Sequence, residues 1–496
     1  MFKKWNLYPI LFSIFPVLSL AAFNIREISL DVIVRPLLAS FFFGVILYFT
    51  LNRILGDQSR SALATLTIIA PLFLYGQIYN LLEDVTFKNV SIFRHRTLLP
   101  VFGLLFIFLF FFVVRKVRSP ERFTLGLNLL SIWLLIYPTF AIVSFTWQQK
   151  VADRARQELT QTTVIDQNKP DVYYIILDAY GREDVFRSLL GYDNHEFITA
   201  LRTRGFYVGD CSQSNYGYTN FSLPSSLNYD YLDALNINDR FALIKYSAVR
   251  SFFEARGYDI VAFPTGWAFT EWTDADLYIT YQHPITALSE FEDLFLNTTV
   301  ARVAYDYKLV NQTADSHKDL RRLRVFSLLD NLKELPYRKD KKFVFAHLVV
   351  PHFPYTFGPD GEIPAYDAKN ATDKEVKAAY VDQVKFVNAE ILKVVDALIE
   401  KSDTPPIIII QGDHGPLYDI TVDPRYRMPI LNAYYLPGIQ MDKVLYPSIS
   451  PVNSFRVVLN SYFDQKLPLL EDKSFFSQSE SRNGFQLVPN TCPDTP

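Results

Sequence analysis

Five apolar stretches crowd the first third of this chain, at about 6–23, 33–52, 62–82, 97–114 and 125–147. Each is long enough, or nearly so, to cross a hydrocarbon layer of about 30 Å, where a backbone must satisfy its own polar groups as a helix or closed barrel. Transmembrane helices are the expected form. A charge near the middle of such a span costs about 2.5–3.5 kcal/mol on insertion scales. The stretches avoid that except at Arg35, which lies near one end, where a long side chain can snorkel to the interface. Lys3, Lys4 and the first run have the pattern of a signal peptide, yet four more runs follow without an obvious small-residue cleavage site.

Basic residues give the orientation. With the N-terminus inside, the inner segments carry Lys3, Lys4, Arg53, Arg60, Arg115, Lys116, Arg118 and Arg122, against Arg26, Arg35, Lys88, Arg94 and Arg96 outside. This excess favours N-inside. Five crossings then leave everything after Trp147 on the extracytoplasmic side of an inner or plasma membrane, in a multi-pass protein. Cys211 and Cys492 suit an oxidising space, where they form either one disulfide fastening the C-terminal tail near Thr219 or two separate thiols.

At 496 residues the chain exceeds what one core serves, and its net charge of -3 gives no reason to expect a nucleic-acid partner. No protein partner is evident either. The expected division is a membrane domain over 1–147, a connector over 148–169, an α/β domain over 170–465 and a tail over 466–496. Lys169-Pro170 marks the start of the soluble unit, because the residue before proline is biased away from helix. Strands are expected at Val172 to Asp178, around Phe206 to Val208, and at Tyr258 to Phe263, Phe343 to Leu348, Ile407 to Gln411 and Ile430 to Leu436. Helical patterns fall near 183–190, 194–204, from Thr219, at 318–335 and at 372–400. Alternating strands and helices imply a parallel, doubly wound α/β sheet. The fold class is therefore a bundle of transmembrane α-helices followed by a doubly wound α/β domain.

Two of those strands end in ligand chemistry. Tyr174-Ile-Ile-Leu-Asp178 and Ile407-Ile-Ile-Ile-Gln-Gly-Asp413-His414-Gly415 are buried-type apolar runs that stop at carboxylates and an imidazole. In an open α/β sheet the crevice at the strand C-termini is where ligands bind, so Asp178, Asp413 and His414 are expected to converge on one divalent cation. Thr219, in Ser214-Asn-Tyr-Gly-Tyr-Thr219-Asn-Phe-Ser222-Leu-Pro224, opens a helix whose unpaired N–H groups attract anions. Its hydroxyl is placed either to cap that helix or to attack a bound ester, and as a nucleophile it needs a metal or base.

These residues resemble the alkaline phosphatase/sulfatase superfamily, in particular its membrane-anchored phosphoethanolamine transferases and lipoteichoic acid synthase-like enzymes. The resemblance covers roughly 170 to 465 and rests on Asp178, Thr219-x-x-Ser222-Leu-Pro224, Asp413-His414-Gly415 and His347-Leu-Val-Val-Pro-His352-Phe-Pro-Tyr355. It implies an α/β sulfatase-like domain with Asp178, Thr219, Asp413 and His414 on one divalent metal, Zn or Mn ahead of Ca or Mg. It further implies Thr219 as nucleophile and His347 or His352 as proton donor. A His-Gly pair found in many transferases is replaced here by Tyr426-Arg427-Met428, which offers Arg427 as an anion ligand. Asn215 is a second candidate for substrate binding. The sulfatase signature is broken, since Ser226 stands where Ser222-Leu-Pro224-Ser225 requires arginine next.

The expected activity is transfer of a phosphoethanolamine or phosphoglycerol headgroup, through a threonine-linked intermediate, to an envelope glycan or lipid. The rivals are a sulfatase or phosphodiesterase of the same fold and a non-catalytic envelope binding protein.

Overall fold

The computed structural model describes residues 5–25, 28, 30–83, 85–87, 90–91, 93–160, 169–235, 240–281, 288–307, 313–365, 371–416, 423–478, 484–490 and 492. Lys3, Lys4, Arg26, Lys88 and the connector over 161–168 lie outside them. The chain forms two compact units, one of Met1–Ala155 with Pro284–His317, the other of Arg156–His283 with Lys318–Pro496.

The first unit holds the apolar helices α1 (Tyr8–Phe23), α2 (Asp31–Leu55), α3 (Gln58–Leu82), α4 (His95–Arg115) and the start of α5 (Glu121–Thr160). Helices α2, α3, α4 and the stretch Glu121–Trp147 are long and apolar enough to cross a membrane, whereas α1 has 16 residues. Phe42, Ile46, Phe108, Trp133 and Phe140 are exposed, an arrangement that suits lipid rather than water. Arg35 is not simply turned to an interface. Its Nε and Nη2 donate to both carboxylate oxygens of Glu292, from the helix Glu290–Asn297. That helix ends against α3, where a Cβ on Gly76 would lie too close, 2.3 Å, to the Asn297 carbonyl oxygen.

The second unit is built on strands β1 (Val172–Leu177), β2 (Tyr207–Val208), β3 (Asp259–Ala262), β4 (Leu277–Tyr278), β5 (Lys342–Leu348), β6 (Ile407–Gly412) and β7 (Asn432–Tyr435). Their order across the sheet is β2-β7-β6-β1-β5-β3-β4. The central strands are parallel, but β7 runs antiparallel to β6 and to β2. The sheet is therefore mixed, not wholly parallel. Side-chain alternation sorts β1 into two layers. Tyr173, Ile175 and Leu177 face a core shared with Val325, Leu328, Val387 and Val394, carried by helices α7 (Thr313–Glu334) and α8 (Asp373–Lys401). Val172, Tyr174 and Ile176 face the opposite core with Leu223, Leu227, Phe455 and Val458, from helices α6 (Thr219–Leu227) and α9 (Pro451–Tyr462). Each apolar side chain so buried contributes about 1.5–3 kcal/mol, which is why register matters.

The tail, expected to stand outside the domain, adds a hairpin of β8 (Ser474–Phe476) and β9 (Gln486–Val488). Phe475 stacks on Tyr216 with ring centroids 5.6 Å apart, and Cys211 is disulfide-bonded to Cys492 across 281 residues.

Candidate active site

Strand register assembles the acidic half of the site. Leu177 pairs with both Leu348 of β5 and Gly412 of β6, so the next residues, Asp178 and Asp413, emerge side by side at the C-terminal edge. Local backbone makes the turn possible. Ala179 takes a left-handed φ of 64°, a strained choice for a residue with a Cβ, and its N–H donates to Asp413 Oδ1 at 3.0 Å. Gly412 and Gly415 leave room where a Cβ would lie 2.3 Å from the Tyr180 carbonyl oxygen and 2.1 Å from that of Tyr426.

Ligand atoms of Asp178, Asp413 and His414 all lie within 4.8 Å of one another, and the three residues are buried. His414 Nδ1–H donates to the Gly415 carbonyl at 2.9 Å, which leaves Nε2 as a bare lone pair. That nitrogen stands 3.6 Å from Asp178 Oδ1 and 3.3 Å from Thr219 Oγ1. The Thr219 hydroxyl donates to Asp413 Oδ2 at 2.6 Å. It does not cap α6, whose N-cap, Tyr218, makes no side-chain cap bond.

Asp178, Asp413 and His414 could hold a metal ion. Burial first, and Asp413 second, push the Asp178 carboxyl up to about 8. Its Oδ1 is buried with no hydrogen-bond donor among the described residues. Burial, then Arg427, drives the proton affinity of His414 well below the ordinary histidine value, so it stays neutral and able to ligate. Two carboxylates, one neutral imidazole and a hydroxyl form a donor set able to hold one divalent metal ion.

His347 Nε2 lies 3.1 Å from Asp178 Oδ2, and burial lowers its pKa to about 4. A neutral His347 donating through Nε2 orients that carboxylate. His352 is half-buried, with its ring 6.2 Å from that of His414, and burial lowers its pKa while Asp178 raises it. Arg427 is buried. Its Nε donates to the Gly217 carbonyl at 2.5 Å and its Nη1 to that of Gly415 at 3.2 Å, so it ties the loop before Thr219 to the loop after His414. Asn215 is not brought into the site. Its amide donates to Ser450 Oγ at 3.0 Å and the Lys473 carbonyl at 2.8 Å, and accepts from the Val452 N–H at 2.8 Å. Its expected substrate contact gives way to a structural one. Ser222 Oγ is buried without a hydrogen-bond partner among the described residues.

Sequence reading missed Trp267, whose ring meets His352 edge-on at 5.1 Å and His347 at 5.9 Å. A lone tryptophan in a loop carries no signal that it borders a site.

The sulfatase family profile matches residues 170–444, and no curated protein matches the chain in sequence. Similar solved structures include the C-terminal periplasmic domain of EcEptC from Escherichia coli, at 14% identity, with 67% of this chain and 96% of that one covered and a TM-score of 0.42. Another is the integral membrane protein lipooligosaccharide phosphoethanolamine transferase A from Neisseria meningitidis, at 12% identity, 93% and 95% coverage and a TM-score of 0.39. A third is BT1596, a 2-O GAG sulfatase, at 14% identity, 61% and 72% coverage and a TM-score of 0.40. With the family match spanning more than half of the chain and the acidic, imidazole and hydroxyl groups gathered at the sheet edge, the chain belongs to the sulfatase family and is an enzyme of the alkaline phosphatase superfamily.

Proposed function

We propose that this enzyme transfers a phospho-headgroup, of the phosphoethanolamine or phosphoglycerol type, from a lipid donor to an envelope glycan or lipid through phosphothreonine at Thr219. The observation that carries the reading is the Thr219 hydroxyl, 2.6 Å from Asp413 Oδ2 and 3.3 Å from His414 Nε2. A divalent cation on Asp178, Asp413 and His414, zinc or manganese by donor type, would lower the hydroxyl's pKa and offset charge on the phosphoryl oxygens.

Thr219 gives its proton to Asp413 and attacks phosphorus, forming the Oγ–P bond as the bond to the donor alcohol breaks. His352 protonates the departing oxygen. It suits this role better than His347, which is fully buried and engaged with Asp178. The arriving phosphate anion favours the charged imidazolium, opposing the effect of burial. The acceptor hydroxyl then gives its proton to His352 and attacks phosphorus as the Thr219 Oγ–P bond breaks, and Thr219 takes its proton back from Asp413. Arg427 holds the two loops that frame the phosphate and supplies positive charge.

A five-span, N-inside topology, with the 16-residue α1 as the first span, would put the domain on the extracytoplasmic side, and the Cys211–Cys492 disulfide is consistent with an oxidising compartment. A membrane tether suits a lipid donor. A sulfatase reading needs formylglycine at Ser222, and Ser226 in place of the motif arginine weighs against it. The test is mass spectrometry of peptides from purified enzyme quenched with phosphatidylethanolamine. A phosphoethanolamine adduct on Thr219 is expected, whereas formylglycine at Ser222 with no adduct at Thr219 rejects the transfer reading.

A further inference from the structure

We infer that Arg321 and Gln383 are positioning residues that hold His352 at the reaction centre, a proposal that rests on His352 as the proton donor named above. The segment Val349–Phe357 carrying His352 has no helix or strand to order it. Pro351 and Pro354 remove two backbone N–H donors, so the loop has more carbonyls than backbone N–H groups. Two helices supply the missing partners. Arg321, on α7, brings Nη1 to 3.4 Å from the Val349 carbonyl, 3.2 Å from that of His352 and 3.4 Å from that of Pro354. Gln383, on α8 and fully buried, donates from Nε2 to the same His352 carbonyl at 3.3 Å. Its Oε1 accepts from the Thr356 N–H at 2.7 Å and the Phe357 N–H at 3.3 Å.

The backbone of His352 is thus gripped by side chains from two separate helices. Its ring is fixed independently, with Nδ1–H donating to the Phe353 carbonyl at 2.5 Å and Trp267 packed edge-on. That tautomer reserves Nε2 for proton transfer. A planar guanidinium can serve several carbonyls at once where an ammonium serves fewer, and an amide is the side chain that both donates and accepts. Releasing either grip displaces the imidazole, and misplacement by about 1 Å costs up to about 10²-fold in rate.

The experiment uses full-length enzyme in detergent with two donors, phosphatidylethanolamine, whose alkoxide must be protonated to leave, and 4-nitrophenyl phosphoethanolamine, whose phenolate need not be. For H352A, R321Q and Q383L, kcat is expected to fall by about 10–100-fold on the lipid donor and by less than about 3-fold on the aryl donor, with KM nearly unchanged. R321Q/H352A should be no slower than H352A, and R321K should recover part of the loss. Melting temperature and bound metal are followed throughout, and Q383L carries the test if R321Q does not fold. A leaving-group bias in H352A but not in R321Q or Q383L overturns the inference alone. No bias in H352A rejects the proton-donor reading first, and the inference with it.

Discussion

The hydroxyl of Thr219 lies 2.6 Å from Asp413 Oδ2, although 194 residues separate them in the chain. Parallel pairing brings the end of β6 beside that of β1, and α6 begins where its first side chain reaches both. If Thr219 is the nucleophile proposed above, a carboxylate already stands where it can take the proton, and little rearrangement precedes attack.

Replacing Thr219 by Ala should therefore lower turnover by at least about 10³-fold. Loss of one hydrogen bond alters stability by only about 1 kcal/mol. Thr219→Ser should retain partial activity. Steady-state rates beside thermal melts check both, and near-normal turnover in T219A would refute the nucleophile assignment.

Asp178 supplies a pH signature in metal-stripped enzyme. Its carboxyl, near 4 in an unfolded chain, is raised to about 8 by burial and by Asp413. Protonated Asp178 is accommodated below pH about 4 in both states, and its contribution is lost as pH rises through the folded value. Asp178→Asn removes that loss. The melting temperature of D178N minus that of wild type should grow between pH about 4 and 8. Added zinc or manganese should stabilise wild type, restore its activity and do neither for D178N. A constant difference across that range contradicts the assignment.

Arg427 joins the carbonyls of Gly217 and Gly415. Arg427→Ala leaves both without this donor, each at a cost of about 1–3 kcal/mol. It should lower the melting temperature and raise KM. Arg427→Lys should keep most of the charge but lose the two-pronged grip, with KM between the two. Unchanged KM in R427A argues against a role in holding phosphate.

The disulfide and the β8–β9 hairpin hold the loop before Thr219. Phe475 and Phe485 both pack on Tyr216, and the Phe475 N–H donates to the Asn215 carbonyl at 2.8 Å. Cys492→Ser should cost about 2–4 kcal/mol and expose the tail to proteolysis. Equal melting temperatures with and without reductant would contradict that.

Much of this site is legible in the sequence for a physical reason. β-Branched runs such as Ile407–Ile410 fit a strand buried on both faces, and a charged residue ending one must stand at an edge. Strand direction is less legible: Asn432–Tyr435 has the same apolar character as its neighbours, and only its antiparallel pairing with β6 and β2 distinguishes it. Asn215 shows the limit of proximity in sequence, since a polar residue four positions before Thr219 serves the opposite side of its loop. Arg321 and Gln383 were hidden because one polar residue on an amphipathic helix has the same pattern whether it meets water or a carbonyl. The Arg35–Glu292 pair was hidden by the 257 residues between its partners.

The excursion Pro284–His317 groups with the apolar helices rather than with the sheet on either side of it in sequence. Phe291 and Phe295 are buried there with Val17, Ala21 and Ile33, and Glu292 answers Arg35. One scissile point cannot therefore free a water-soluble catalytic fragment: a product starting at residue 156 would retain two greasy aromatics and a carboxylate stripped of their counterparts. Excising 284–317 as well, with a short polar bridge across the gap, should yield the better-behaved secreted enzyme, as size-exclusion profiles of the two fragments would reveal.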